Sequence, residues 1–216
     1  MRTILTTALC LLATASLHAQ EERPLRTLLG NGRPLDHGGW GAATASYTRI
    51  LDQDAMLVGA RGAWMIDHRF SLGIAGHGLV IPVANAAYDA VLLAEGRTLS
   101  RGSTFVGGYG GLLLEPVIAY RSPVHITLPL IVGAGGVGYQ RHTELPEDFD
   151  PFTYQEDVCA FFVVEPGVEL EVNLIPLVRV GVGASYRYTS DITLPGTPKD
   201  VLHGLNAGLT IKVGSF

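Results

Sequence analysis

The alternation of apolar and polar side chains with a period of two is the feature that most restricts the fold of this chain. In the segment from Met56 to Ile66, the apolar residues fall on one face and Arg61 falls on the other. The same division recurs in seven segments, which are residues 56–66, 70–80, 106–118, 125–134, 162–172, 178–188 and 205–213. Successive side chains of a β-strand point to opposite faces. Each segment is therefore predicted to be a strand with one apolar face and one face that carries charges.

The connections between these strands alternate between short and long. Short turns fall at Asp67-His68, Arg121-Ser122-Pro123 and Asn173–Pro176. Long polar loops fall at Ala84–Gly102, Arg141–Asp157 and Thr189–Asp200. A chain that crosses an outer membrane repeatedly has short periplasmic turns and longer exterior loops. The alternation therefore predicts which ends of the strands face the cell exterior.

The segment Gly39–Leu51 is predicted to be the first strand, although alanine and threonine alternate along it without a clear apolar face. It is counted because single-chain outer-membrane barrels have an even number of strands. Its connection to the next strand, Asp52-Gln53-Asp54, is only turn-sized where a long exterior loop is expected. With this strand the fold class is all-β, an eight-stranded antiparallel up-and-down transmembrane β-barrel over residues 39–216.

The hydropathy of the chain supports a membrane location without a membrane helix. Hydrophobic residues make up 47% of the chain and the mean hydropathy is +0.28. A membrane helix needs about 20 consecutive apolar residues, and the nearest candidate, Leu128–Tyr139, is short and contains four glycines. The apolar surface therefore has to come from strands.

The first residues resemble a secretory leader. Met1-Arg2 supplies a positive start, Ile4–Leu17 is apolar, and Leu17-His18-Ala19 resembles a signal-peptidase site. Residues 1–19 are predicted to be a signal peptide, and residues 20–38 an N-terminal periplasmic segment. Cys10 lacks the preceding small residue that a lipoprotein site requires, so it is expected to leave with the leader.

Charge and cysteine content exclude further classes. The chain carries a net charge of −5, and removal of Arg2 with the leader makes it more acidic, which argues against a nucleic-acid partner. Cys159 is then the remaining cysteine and cannot form an internal disulfide. It is expected to be a small strand residue.

The inward face is predicted to carry a network of ion pairs. Its ionisable residues are Arg61, His77, Glu115, His125, Glu165, Glu169, Glu171, Arg179, Arg187 and Lys212. An eight-stranded barrel is only wide enough for its own side chains, and buried charges have to be paired. If the turn is centred near Leu174-Ile175, paired residue numbers sum to about 349 or 350, which predicts Glu171 opposite Arg179.

Three prolines conflict with an uninterrupted barrel wall. Pro116, Pro129 and Pro166 lack the N–H that a strand donates, and a closed barrel has no edge where that loss is harmless. They are predicted to lie at bulges or at strand ends.

Four segments resemble small bacterial outer-membrane β-barrel proteins of the OmpA/OmpX type. They are Ile66–Gly73, Glu165–Glu171, Gly183–Tyr188 and the last strand, which ends at Phe216. The resemblance implies the bacterial cell outer membrane as location, outer-membrane lipid and lipopolysaccharide as partners, and the barrel-assembly machinery as a partner during biogenesis. A terminal aromatic residue resembles the assembly signal, but Phe216 is out of phase with Leu205–Val213. Either Gly214-Ser215 bulges or the signal is imperfect.

An enzyme is one alternative. His125 and Thr127 share a face and could supply a base and a hydroxyl nucleophile, as in lipid A acyl hydrolases and acyltransferases. The His-x-Ser arrangement associated with the deacylases is absent, and His125 lies next to a predicted periplasmic turn. His125 and His77 are therefore expected to be hydrogen-bonded interior residues.

A soluble lipocalin-like barrel is the second alternative, because Gly38-Gly39-Trp40 fits the Gly-x-Trp that opens lipocalins. Lipocalins have apolar residues inside and charges outside, which is the reverse of the assignment above. Charged residues make up only 16% of the chain, too few to solvate such an exterior.

The acidic loop Arg141–Asp157 could hold Ca²⁺ through its clustered carboxylates, but its spacing does not match an EF-hand. We therefore expect no catalytic residue, no cofactor and no metal site. The predicted role is structural, or an interaction at the cell surface through exterior loops whose partner the sequence does not identify.

Overall fold

A computed structural model of the protein describes residues 35–97, 99, 101–142 and 157–216. The predicted leader, most of the N-terminal segment and most of the acidic loop lie outside these residues. Residues Asp36–Phe216 form one compact unit. Its elements are β1 (His37–Ile50), β2 (Gln53–Ile66), β3 (Phe70–Leu79), β4 (Val83–Ala84), α1 (Ala86–Ala94), β5 (Arg101–Ile118), β6 (Val124–Thr127), β7 (Leu130–His142), β8 (Val158–Ile175), β9 (Val178–Thr189) and β10 (Gly204–Ser215).

These strands close into a ring of eight antiparallel walls, where each wall is one strand or two short strands placed end to end. This confirms the predicted fold class. Six walls are single strands, β1, β2, β5, β8, β9 and β10. The short β4 pairs with β5 beyond the end of β3, and so extends that wall. Strands β6 and β7 both pair with β5 and β8 and form one wall. The first and last strands pair over Gly39↔Ser215 to Tyr47↔Ala207, and this closes the ring.

The outer and inner faces of the barrel carry the residues that the sequence pattern assigned to them. Large apolar side chains are exposed on the outer face, such as Ile74 at 68% and Leu112 at 59% of full exposure. The ten ionisable side chains that the sequence places on the inward face are buried inside. In β1, where the sequence shows no apolar face, Thr44 and Thr48 are buried and Tyr47 points outward. An apolar outer face around a closed barrel is stable only if lipid covers it.

Two of the hairpins have two-residue turns with the same backbone conformation. Leu51 and Asp52 have φ of 53° and 59°, and Asp67 and His68 have φ of 52° and 56°. Positive φ at both central residues is the type I′ geometry that matches the twist of paired strands. The connection at Leu51-Asp52 is therefore a tight hairpin at the exterior end, one residue earlier than predicted.

A short helix lies within the predicted loop Ala84–Gly102. The carboxamide of Asn85 accepts hydrogen bonds from the backbone N–H groups of Ala87 and Tyr88, and so caps the first turn of α1. Tyr88 and Leu92 are buried against residues at the exterior ends of the strands. Among the described residues, no helix has the length and apolar character needed to cross a membrane.

The expectation that the three prolines lie at bulges or strand ends is wrong for two of them. Pro116 and Pro166 lie inside β5 and β8, and the pairing of β5 with β6 and β7 keeps one register on both sides of Pro116. Pro129 does lie at an interruption, between β6 and β7. The barrel tolerates Pro116 because the Pro116 carbonyl still accepts a hydrogen bond from the Leu128 N–H at 3.0 Å.

The predicted register of β8 and β9 is also wrong. Glu171 pairs with Gly181, and Arg179 pairs with Asn173. Strand β8 continues to Ile175, so the turn is Pro176-Leu177, and an irregularity between Asn173 and Ile175 then shifts the pairing back by one residue. Arg179 is therefore two positions closer to the turn than the partner of Glu171.

The last strand ends without a bulge. Its pairing with β1 keeps one register through Gly214 and Ser215. Phe216 therefore stays on the inward phase, and the Arg179 guanidinium carbon lies 3.8 Å from the centroid of its ring. The terminal aromatic ring packs against the apolar cluster that contains Trp40 and Met65.

Candidate functional site

The inward ionisable residues form the most concentrated chemistry of the barrel. All ten that the sequence places on the inward face are buried, with exposures of 9% or less. They come from β2, β3, β5, β6, β8, β9 and β10, at positions that alternate with the lipid-facing residues. Buried charges are tolerated when they are paired or hydrogen-bonded, so the partners of each charged group determine what chemistry the interior can perform.

Lys212 is the centre of the first group of interior charges. Its ammonium binds Glu115 at 2.5 Å and also binds Glu171. The same ammonium lies 4.3 Å from the ring centroid of Trp40, within the range of a cation–π contact. Because Lys212 is on β10 and Glu115 is on β5, this ion pair crosses the barrel interior and does not join neighbouring strands.

The Glu171 carboxylate binds the two residues that were considered as a catalytic pair. Thr127 donates its hydroxyl to Glu171 at 3.0 Å, and His125 Nε2 lies 3.1 Å from the other carboxylate oxygen. The hydroxyl and the imidazole therefore bind the same carboxylate, and their shortest contacts are with it. The His125 Nε2 atom also lies 3.5 Å from Arg179. All these side chains point away from the lipid-facing surface.

A second ion pair crosses the barrel between β2 and β8. Arg61 donates to Glu169 at 2.6 Å, and Thr210 donates to the same oxygen at 3.3 Å. Glu115, Glu169 and Glu171 each place one oxygen within 4.8 Å of the others, which is the composition of a metal site. Lys212 and Arg61 already neutralise much of this charge, so a metal ion would have to compete with them.

Glu165 is held by neutral donors. Tyr109 donates its phenol to Glu165 at 2.5 Å, and Ser185 and Asn206 donate to the other oxygen at 2.6 and 3.0 Å. Tyr109 also stacks on His77, with ring centroids 5.3 Å apart. His77 is therefore an interior packing residue in this structure. Among the residues that the structure describes, no cation forms a direct ion pair with the Glu165 carboxylate. Hydrogen bonds from neutral donors hold it inside the barrel.

We expect Tyr109→Phe to destabilise the barrel by about 1.5–3 kcal/mol, because Glu165 loses a hydrogen bond to a charged group in a buried site. Tyr188→Phe is the matched control, since Tyr188 is 54% exposed on the outer face and its change is expected to stay within about 0.5 kcal/mol. Urea unfolding in lipid vesicles, followed by tryptophan fluorescence, measures both. Equal losses for the two variants would mean that the bond to Glu165 does not stabilise the interior.

The exterior half of the barrel interior is packed with apolar side chains, and Val163, which the sequence pattern places on the inward face, is among them. Inward residues near the exterior strand ends, including Ile50, Leu57 and Phe105, join Tyr88 and Leu92 of α1 in one cluster. Tyr88 and Tyr139 stack with ring centroids 3.8 Å apart. Cys159 lies in β8, which confirms its interpretation as a small strand residue, and it is buried in this cluster. The signal in the sequence was the run of apolar residues on both faces of Val158–Val164.

No family model matches the chain, and no curated protein sequence is similar to it. The chain is similar in structure to solved proteins. Neisserial surface protein A aligns with a TM-score of 0.55 at 11% identity, over 84% of this chain and 99% of that chain. Ail of Yersinia pestis, in complex with the heparin analogue sucrose octasulfate, gives 0.46 at 10% identity, over 82% and 96%. The N-terminal β-barrel domain of OprF from Pseudomonas aeruginosa gives 0.43 at 10%, over 81% and 96%.

The fold of the protein is that of an outer-membrane β-barrel. The closed ring of eight strands is that of the small OmpA/OmpX-type barrels, as the sequence resemblance predicted. Together with the apolar outer face, this fold places the protein in the bacterial outer membrane. Its similarity to Neisserial surface protein A, at 11% identity, concerns the fold alone.

Proposed function

We propose that the protein is a surface-interaction barrel with a filled interior, no steady pore and no enzymatic activity. The observation that carries this proposal is that ion pairs cross the barrel interior, as in Lys212 with Glu115 and Arg61 with Glu169. Toward the exterior end, Tyr88 and Leu92 of α1 pack into the apolar cluster inside the barrel. Two surfaces remain available to partners. The outer face would contact membrane lipid and lipopolysaccharide, and the exterior surface would contact other partners. Barrel-assembly machinery would act during biogenesis.

A lipid-modifying enzyme is the first rival, and the arrangement of His125 and Thr127 weighs against it. A base activates a hydroxyl nucleophile when the two are within hydrogen-bond reach, whereas here both groups bind Glu171. Both side chains are also buried, with exposures of 1% and 0%. A lipid substrate would have to enter the barrel interior to reach them.

Binding of a small apolar ligand inside the barrel is the second rival. The interior space lined by Ile50, Leu57, Phe105 and Phe161 has a volume of about 20 Å³. Sites for small molecules usually have volumes of about 300–1,000 Å³. The outer face carries large exposed apolar residues, and ten ionisable residues are buried inside, which is the reverse of a lipocalin exterior and supports the membrane role.

We expect purified protein in planar lipid bilayers to give no steady ion current, because side chains fill the lumen of an eight-stranded barrel. We also expect lipid A from cells with and without the gene to have the same masses. A stable open channel would contradict the filled interior. A change in the acyl chains of lipid A that His125→Ala abolishes would contradict the absence of an enzyme.

A further inference from the structure

The net charge of the chain is concentrated on its exterior side. Without the predicted leader, the chain has 14 basic and 20 acidic residues, a net charge of −6. Inside the barrel, the four buried glutamates are balanced by three arginines and Lys212. Residues 20–34 contribute two acids and three bases. At the periplasmic strand ends, two acids and two bases cancel, which are Asp36, Asp67, Arg69 and Arg121. The excess of negative charge therefore belongs to the exterior strand ends and loops.

This exterior side has 12 carboxylates and five Lys or Arg residues, a net charge of −7. Seven of the carboxylates are on residues that the structure describes, which are Asp52, Asp54, Asp89, Glu95, Asp157, Asp191 and Asp200. The other five lie in the sequence between β7 and β8, and the bases are Arg49, Arg97, Arg101, Arg141 and Lys199. A surface on which one sign of charge predominates attracts partners of the opposite sign. The charge distribution therefore indicates a cationic partner outside the cell.

A cleft at the exterior rim is large enough to receive side chains of such a partner. It has a volume of about 550 Å³, and its walls are the tight hairpin at Leu51-Asp52 and the segment from Pro198 to Gly204. The pairing of β1 with β10 runs only as far as Tyr47↔Ala207, so the two strands separate beyond this pair. Where they separate, the Thr48 hydroxyl donates to the Leu205 carbonyl at 3.1 Å. The cleft lies at this opening of the barrel seam.

Carboxylates stand on both walls of the cleft, and one of them has no cation. Asp52 lies on the hairpin and Asp200 lies on the opposite wall. The Arg49 guanidinium donates to the backbone carbonyl of Asp52 at 2.7 Å and lies 4.0 Å from its carboxylate. Among the residues that the structure describes, no cation pairs with the Asp200 carboxylate. An ammonium or guanidinium group that enters the cleft would therefore find an uncompensated carboxylate, whereas an anion would be repelled.

The remaining lining of the cleft suits the apolar stem of a basic side chain. Leu51 and Leu205 offer aliphatic surface, and the Tyr47 ring is half-exposed beside them. The Tyr47 hydroxyl donates to Asp54 at 2.6 Å, which fixes the position of the ring. Lys and Arg side chains carry their charge at the end of an apolar stem, and an aromatic ring face attracts a cation. The lining therefore complements both parts of such a side chain.

We propose that this cleft binds a lysine or arginine side chain on a basic segment of a protein partner outside the cell. The proposal rests on the proposed surface role and names the kind of partner that the exterior surface binds. The cationic head would lie between Asp52 and Asp200, and its stem would lie along Leu51 and Leu205. The other exterior carboxylates would steer the basic segment toward the cleft.

The test is the binding of a fluorescein-labelled oligolysine peptide, measured by fluorescence anisotropy with the full mature protein in neutral detergent micelles free of lipopolysaccharide. We expect Asp52→Asn combined with Asp200→Asn to weaken binding about tenfold or more, the size of a lost hydrogen bond to a charged group. Ala207→Trp keeps every charge but fills the floor of the cleft, and it should weaken binding to a similar extent. Far-UV circular dichroism checks that each variant is folded.

The matched control removes two exterior carboxylates that do not line the cleft. Asp191 pairs with Lys199, and Glu95 pairs with Arg97. Asp191→Asn combined with Glu95→Gln should weaken binding at most about threefold, because exposed charge pairs contribute little. Binding to the wild type should also weaken as salt is raised from about 0.1 to 1 M, since the Debye length falls from about 10 to 3 Å.

Three results would overturn the proposal. They are an Ala207→Trp variant that binds oligolysine like the wild type, a control variant that loses as much affinity as the cleft variant, and an oligoglutamate peptide that binds as tightly as oligolysine. The second result would assign the binding to the general charge of the exterior surface. Conductance and lipid A masses do not depend on this cleft, so its failure would leave the proposed function standing.

Discussion

Replacement of Lys212 by Met is expected to lower the free energy of unfolding by about 3–5 kcal/mol, because it leaves buried carboxylates without their cation. The ammonium of Lys212 binds both Glu115 and Glu171, and all three side chains are at most 2% exposed. Glu171 would keep its contacts with His125 and Thr127. Among the described residues, Lys212 is the one partner of Glu115. Most of the lost free energy of unfolding should therefore come from this carboxylate.

A second substitution separates an unpaired charge from a general packing defect. Lys212→Met combined with Glu115→Gln should recover at least half of the loss, since the uncompensated charge is removed. Lys199→Met is the control. Lys199 pairs with Asp191 at 3.2 Å, but its side chain is 74% exposed, and exposed pairs contribute about 0.2–1 kcal/mol. Urea unfolding in lipid vesicles compares the three. If Lys212→Met costs no more than Lys199→Met, the interior ion pairs do not hold the barrel together.

These interior pairs show where reasoning from the sequence reaches its limit. A period of two assigns each side chain to a face, and it placed all ten ionisable residues correctly inside. It does not give partners across the interior. Arg61 on β2 and Glu169 on β8 are separated by several strands around the ring, and they meet because opposite walls of a narrow barrel lie within side-chain reach. The predicted pair Glu171 and Arg179 came from neighbouring strands, which is the arrangement that an argument from hairpins can find.

Two local features were missed for different physical reasons. The register of β8 and β9 depends on where β8 ends, and the apolar pair Leu174-Ile175 is as compatible with a strand end as with a turn. Helix α1 has nine residues. A helix this short has too few turns for its sequence pattern to distinguish it from a loop. Its N-cap residue, Asn85, was nevertheless a readable signal, since Asn is among the preferred residues at that position.

The apolar outer face gives the second large prediction. Leu209 lies in the middle of β10, where it pairs with Ala45 of β1 and Val182 of β9, and it is 55% exposed. We expect Leu209→Arg to destabilise the folded barrel by about 2–4 kcal/mol, the cost of a cationic side chain facing lipid near the bilayer midplane. The measurement is urea unfolding of the protein in phospholipid vesicles.

The same substitution near the exterior end of the same strand provides the control. Leu205 also points outward and is 69% exposed, but it is the second residue of β10. A cationic side chain there can reach the head groups, so Leu205→Arg should cost only about 0–1 kcal/mol. A soluble barrel has no such depth dependence, because water covers its whole outer face and both variants would then be close to neutral. Equal costs at the two positions would therefore show that lipid does not cover this face, and the assignment of the barrel to the membrane would have to be withdrawn.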